Sequence, residues 1–148
     1  MASPHTPDPA EKPLRILVYS DDRTMRDRVS MALGVRPVLD LPPVQIDECA
    51  TVPFLLSALD AGGVDLAILD GEAVPAGGIG LCRQIKDEVF GAPPILVLIG
   101  RVQDAWLATW ARADETVIHP ANPMELTDKV VSLLRARRAG SGSALATT

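Results

Sequence analysis

Five short apolar runs alternate along this chain with stretches whose apolar residues recur at helical spacing, and that alternation narrows the accessible folds more than any other feature. The runs lie near residues 14–19, 44–49, 64–69, 95–99 and 115–119, and the helical patterns near 23–34, 52–61, 79–89, 103–112 and 123–138. Runs this apolar belong to strands buried on both faces, and a β-α unit repeated five times builds a parallel sheet covered by helices on each side. The punctuation agrees. Met25, Val29 and Ala32/Leu33 mark one face of the first helix, which Gly34 ends; Thr51 precedes the second and Gly62-Gly63 follow it. For the last helix, Asn122 as N-cap, Pro123 at the first helical position and Glu125 at the third form a capping-box pattern, with Leu126, Val130 and Leu133 on the buried side.

A length of 148 residues with 47% hydrophobic content fits one domain, placed at 14–138. Residues 1–13 carry four prolines, and residues 139–148 are Ala, Gly, Ser, Thr and a single Leu, so both ends read as disordered tails. The loop from Val35 to Pro43 holds three prolines. It reads as stiff, non-helical and long enough to offer partner contacts. A formal charge of −5 without a Lys/Arg cluster excludes an electrostatic footprint for nucleic acid. No apolar stretch approaches the ~20 residues that span a bilayer, and Met1 to Pro13 contains no signal-peptide core, which places the protein in the cytosol and off the membrane. Cys49 and Cys82 show neither CxxC nor Cys/His spacing and read as reduced core thiols rather than a disulfide or metal ligands.

Chemistry concentrates where two of the runs end. Ile16-Leu17-Val18-Tyr19 closes on Ser20-Asp21-Asp22, and Val64-Asp65-Leu66-Ala67-Ile68-Leu69 closes on Asp70. In a sheet of order 2-1-3-4-5 the loops after strands 1 and 3 meet at the switch point, which brings Asp21 and Asp70 toward one ion. Mg²⁺ takes one or two carboxylates with waters and phosphate oxygens, and an aspartate beside it can attack a phosphoryl group in line. Asp70 is then the nucleophile. On spacing alone an equal alternative stands: Asp21 and Asp22 cap the first helix, and Asp70 starts a turn with Gly71.

The segment Ile16 to Arg26 resembles the opening of response-regulator receiver domains, particularly of the chemotaxis type. Asp65 to Asp70, followed by Gly78 and Ile79-Gly80-Leu81-Cys82, is similar to their phospho-acceptor strand, loop and third helix. Pro94 to Arg101 resembles the fourth strand, and Val117-Ile118-His119-Pro120 with Pro123-Met124-Glu125-Leu126 the fifth strand and last helix. The match covers roughly residues 14 to 137. It implies a flavodoxin-like, doubly wound sheet of five parallel strands with five helices, acting in two-component phosphorelay signalling without an attached output domain. Its chemistry would not be that of an enzyme beyond self-phosphorylation and dephosphorylation of an aspartate.

Position by position, the resemblance makes Asp70 the phospho-acceptor, Asp21 a direct Mg²⁺ ligand and the backbone carbonyl of Glu72 a further ligand. The Glu72 side chain could instead lie over the pocket and repel a phosphoryl donor. Ser20 stands where the family has the first acid of its pair, which should weaken Mg²⁺. Asp22 is read as the helix cap ahead of a compensating ligand. His119 replaces the family lysine, as a pH-sensitive cation beside Asp21 and Asp70 or as a strand-end histidine bonded locally. Pro120 resembles the family proline that follows a cis peptide. Ile99 replaces the switch Thr/Ser and cannot donate to a phosphoryl oxygen, and Thr116 replaces the switch aromatic.

Trp106 and Trp110, four apart on a short fourth helix, suggest an interface for at least one of them, with a target protein or a second copy, against the alternative that one packs on the sheet. Expected partners are a histidine kinase or phosphotransfer protein and a target reached through the fourth helix and fifth strand. Two rival readings remain: a phosphorylation-independent pseudo-receiver that only binds a partner, and a nucleotide- or flavin-binding protein of the same topology. The acidic Ser20-Asp21-Asp22 loop and the absence of glycine-rich phosphate motifs oppose the second rival.

Overall fold

The computed structural model describes residues 12–146, with side chains through residue 140. Strands β1 (Leu14–Tyr19), β2 (Val44–Cys49), β3 (Leu66–Asp70), β4 (Ile95–Ile99) and β5 (Glu115–Ile118) alternate with helices α1 (Arg23–Leu33), α2 (Val52–Ala61), α3 (Gly78–Glu88), α4 (Ala105–Trp110) and α5 (Pro123–Ala146). A single 3-10 turn, Val102–Asp104, leads into α4. The strands are all parallel in the order β2-β1-β3-β4-β5, so the chain reverses direction across the sheet between β1 and β3. No described helix is long and apolar enough to cross a membrane.

Strand periodicity divides the core into two layers. Ile16, Val18, Leu66, Ile68, Leu96, Leu98 and Val117 pack against Met25, Val29 and Leu33 of α1 and Leu126, Val130 and Leu134 of α5. On the other face, Leu17, Tyr19, Ala67, Leu69, Ile95, Val97 and Ile99 meet Leu55 and Leu59 of α2, Leu81, Cys82 and Ile85 of α3, and Ala108 of α4. β3 and β4 are buried at every position, as expected of central strands covered on both sides, whereas the edge strands β2 and β5 are only partly covered. Each buried Leu or Ile contributes about 1.5–3 kcal/mol, so these layers hold the sheet rigid beneath its loops.

The end caps follow the sequence pattern. Asp22 accepts from the Thr24 N–H at 2.9 Å, and Asn122 Oδ1 accepts from the N–H groups of Met124 and Glu125 at 2.9 and 3.2 Å. Glu125 turns its carboxylate to Lys129 instead, leaving the capping box half formed. Thr51 makes no side-chain cap bond. The loop 35–43 contains no helix and is tied down by Arg135 of α5, which pairs with Asp40 at 2.6 Å.

Two boundaries differ from expectation. The last helix does not stop at 138: α5 continues to Ala146, because alanines favour the helix and no proline after Pro123 ends it. The expected tail at 139–148 is therefore helical through 146, and residues 147–148 lie outside the described residues, as do residues 1–11 of the expected N-terminal tail. The fourth helix is also shorter than 103–112, since its first turn is the 3-10 segment. Cys49 and Cys82 are buried free thiols, as expected.

Candidate functional site

Because β1 and β3 are neighbours with Tyr19 opposite Leu69, the next residues, Ser20 and Asp70, stand side by side at the C-terminal edge of the sheet. Both are buried, Ser20 at 0% exposure and Asp70 at 4%. Ser20 Oγ donates to Asp70 Oδ2 at 2.8 Å and accepts from the Asp22 N–H at 3.0 Å. Asp70 Oδ1 accepts from the Glu72 N–H at 2.8 Å. The carboxylate is thus oriented by two neutral donors, with no side-chain cation bonded to it among the described residues.

Asp21 reaches the same loop from the other side: its Oδ1 accepts from the Val74 N–H at 3.1 Å. Tyr19 completes the bracing, its hydroxyl donating to the Ala76 carbonyl at 2.8 Å. Burial first, then the charges of Asp21 and Asp70, push the Tyr19 hydroxyl above its ordinary value. Both acids therefore act on one phenol, which places them in one electrostatic neighbourhood. Arg26 Nη1 donates to the Ser20 carbonyl at 2.6 Å and its Nε pairs with Glu48 at 3.1 Å, fixing the end of β1.

The capping and ligand readings left open by spacing divide between neighbouring residues. Asp22 is the cap of α1, while Asp21 faces the β3-α3 loop. Asp21 and Asp70 keep lone pairs beyond these hydrogen bonds, and two carboxylates are a set that Mg²⁺ accepts alongside waters and phosphoryl oxygens. Among the described residues no group of three His, Cys, Asp or Glu is clustered for a metal.

His119 departs from its expected role. Its N–H donates to the Ile99 carbonyl at 2.7 Å, but its imidazole makes no ion pair with Asp21 or Asp70, and Nδ1 is buried without a partner among the described residues. Val117 belongs to the α1/α5 layer, so strand alternation sends His119 toward the same side. There it lines a cleft of about 650 Å³ with Met25, Arg28, Ala32, Pro120 and Leu126. The His119–Pro120 bond is cis, as the resemblance implied.

Ile99 is buried in the α2/α3/α4 layer and Thr116 is half-buried, its carbonyl accepting from Lys129 Nζ at 2.7 Å. Neither tryptophan packs on the sheet: Trp106 is 67% and Trp110 54% exposed, while Ala108 and Ala111 take the inner side. The Arg83 guanidinium of α3 lies over the Trp110 ring at 4.5 Å and donates to the Trp110 carbonyl at 2.9 Å.

Three positioning residues escaped the sequence reading. Tyr19 and Arg26 stand in the sequence only as members of the first-strand segment, and Gly100 only within the fourth-strand segment. Counting strand alternation past Leu98 would have placed Gly100 on the Asp70 side of the sheet, the one signal available.

No family model matches the chain. Uncharacterised response regulatory proteins of two Mycobacterium tuberculosis strains are 55% identical over 123 residues, spanning 83% of this chain and 92% of theirs. The chain belongs to the response-regulator family. The regulatory protein VanR of Enterococcus faecium is 27% identical over 130 residues, 86% of this chain and 53% of its own length. Among solved structures, a CheY-like receiver domain of Methanospirillum hungatei superposes with a TM-score of 0.70 at 20% identity, covering 87% of this chain and 99% of that one. The chemotaxis response regulator CheY4 of Vibrio cholerae gives 0.68 at 18%, covering 82% and 99%. These likenesses agree with the receiver fold.

Proposed function

We propose that this receiver domain accepts a phosphoryl group on Asp70 from the phosphohistidine of a histidine kinase or phosphotransfer protein, in the cytoplasm, with Mg²⁺ held by Asp21 and Asp70. The observation that carries the reading is the Asp70 carboxylate, oriented at the switch point by Ser20 and the Glu72 N–H with no side-chain cation bonded to it among the described residues. In the step, an Asp70 oxygen attacks phosphorus, the P–N bond to the donor imidazole breaks, and its electron pair leaves with the imidazole. Bound Mg²⁺ would neutralise charge on the transferring oxygens. Ser20 contributes a hydroxyl where a carboxylate would bind more strongly, so the metal is held weakly. Ile99 has no hydroxyl to report the phosphoryl group, so any output is carried by other contacts, with the exposed Trp106 and Trp110 as the surface for a target or a second copy.

The unpaired His119 favours the second reading, a receiver that docks its partner without phosphorylation. Incubation with Mg²⁺ and acetyl phosphate, followed by intact mass, separates the two. The first reading expects one phosphoryl adduct, lost in Asp70→Asn, and Mg²⁺ or beryllofluoride should change the tryptophan fluorescence. Absence of both adduct and Mg²⁺ binding would leave the docking module.

A further inference from the structure

Asp70 is almost fully buried, so a phosphoryl donor must be admitted past whatever bounds its open flank. On the β1 side Ser20 closes that flank with its hydrogen bond. On the β4 side the bounding group is Glu72. Its backbone is fixed by the N–H bond to Asp70, and its side chain crosses from the β3-α3 loop onto the end of β4, lying flat against Gly100. A Cβ at position 100 would stand 2.5 Å from Glu72 Oε1 and 2.9 Å from Cδ, so only glycine leaves room for the carboxylate where it rests. The three atoms nearest that Cβ position all belong to the Glu72 side chain, so Gly100 serves as a socket for it. Asp70 pairs with Leu98, two residues before Gly100, so the carboxylate of Glu72 rests about one residue pair above the nucleophile along the strand direction.

We infer that Glu72, seated on Gly100, is an anionic gate over Asp70 that slows entry of phosphoryl donors, selecting against small free donors in favour of a docked protein donor that displaces it. The inference rests on the phospho-acceptor reading of Asp70. A free donor such as acetyl phosphate is a dianion and meets a like charge on the β4 side of the pocket. A docked partner can supply contacts that turn the exposed Glu72 side chain outward. The reaction tested is attack of an Asp70 oxygen on the phosphorus of acetyl phosphate, with the P–O bond to acetate breaking and acetate leaving with the electron pair.

The test compares acyl-phosphate formation from acetyl phosphate and Mg²⁺ in the full chain and in the variants Glu72→Gln, Glu72→Ala and Gly100→Ala. Glu72→Gln keeps the shape and the backbone carbonyl and removes the charge. It should accelerate formation roughly fivefold, the order expected for removing a unit charge several ångströms from a dianion in a watery mouth. Gly100→Ala should act in the same direction by evicting the carboxylate from its socket. The wild-type rate should rise with ionic strength, and that of Glu72→Gln should rise less steeply, since Asp21 and Asp70 keep their charge. Urea midpoints of all variants confirm that they are folded. Equal rates for wild type and Glu72→Gln, with equal salt dependence, would overturn the gate while leaving Asp70 as acceptor. If no variant forms an acyl phosphate at saturating Mg²⁺ and donor, the acceptor reading itself fails and the gate with it.

Discussion

With its hydroxyl donating to Asp70 Oδ2 and accepting from the Asp22 N–H, Ser20 joins the Asp70 carboxylate to the cap of α1 through a single oxygen. On the proposed Mg²⁺ reading, the site is short of one carboxylate. Ser20→Asp should restore it, raising Mg²⁺ affinity by roughly tenfold on Coulombic grounds; a fluorescence or calorimetric titration showing unchanged affinity would contradict that ligand set. Ser20, Asp21, Asp22 and Asp70 were all legible as chemistry-bearing residues, because two apolar runs ended on them. Spacing alone left their division of labour open, and the family resemblance was needed to make Asp22 the cap, as it is. Asp22 caps while Asp21 turns to the Val74 N–H, a distinction set by backbone direction at the start of α1 rather than by residue type. His119 shows the same limit more sharply: its place at the end of β5 was readable, but the cleft it lines between α1 and α5 exists only once both helices pack.

Helix ends followed local chemistry, and helix faces followed packing. Asn122 accepts from two N–H groups at the start of α5, and Asn122→Ala should cost about 1 kcal/mol, read from urea denaturation. Thr51 precedes α2 just as plainly in sequence yet makes no cap bond, which a Thr51→Ala comparison would register as a smaller loss. The six residues of α4 are too few for periodicity to say which side meets the sheet. Small residues decide it: Ala108 and Ala111 allow close approach to the sheet, which turns both indoles outward and brings Trp110 under Arg83. The extension of α5 past 138 was hidden for the opposite reason, since Gly and Ser among the alanines gave that stretch a linker's composition.

Two apolar layers on either side of one sheet bury Cys49 and Cys82 in the α2/α3/α4 layer, and burial pushes both thiols up to about 11 from 9.0. A folded-state value above the unfolded one means that the native state holds its proton longer. That stability is fully present below about pH 9 and is lost as pH rises toward 11. The urea midpoint should therefore be level near neutrality and fall across that alkaline window, with Tyr19 adding to the fall at its upper end. Replacing both cysteines by alanine should flatten the lower part of the decline; an unchanged profile would assign the loss elsewhere. Alternating apolar runs were enough to specify a doubly wound parallel sheet, because strand burial and helix amphipathicity are written in local spacing. Which loops meet, which carboxylate turns inward and what lies over Gly100 depend on strand order and register. Those are settled only when residues fifty or more positions apart are packed against one another, as Ser20 and Asp70 are.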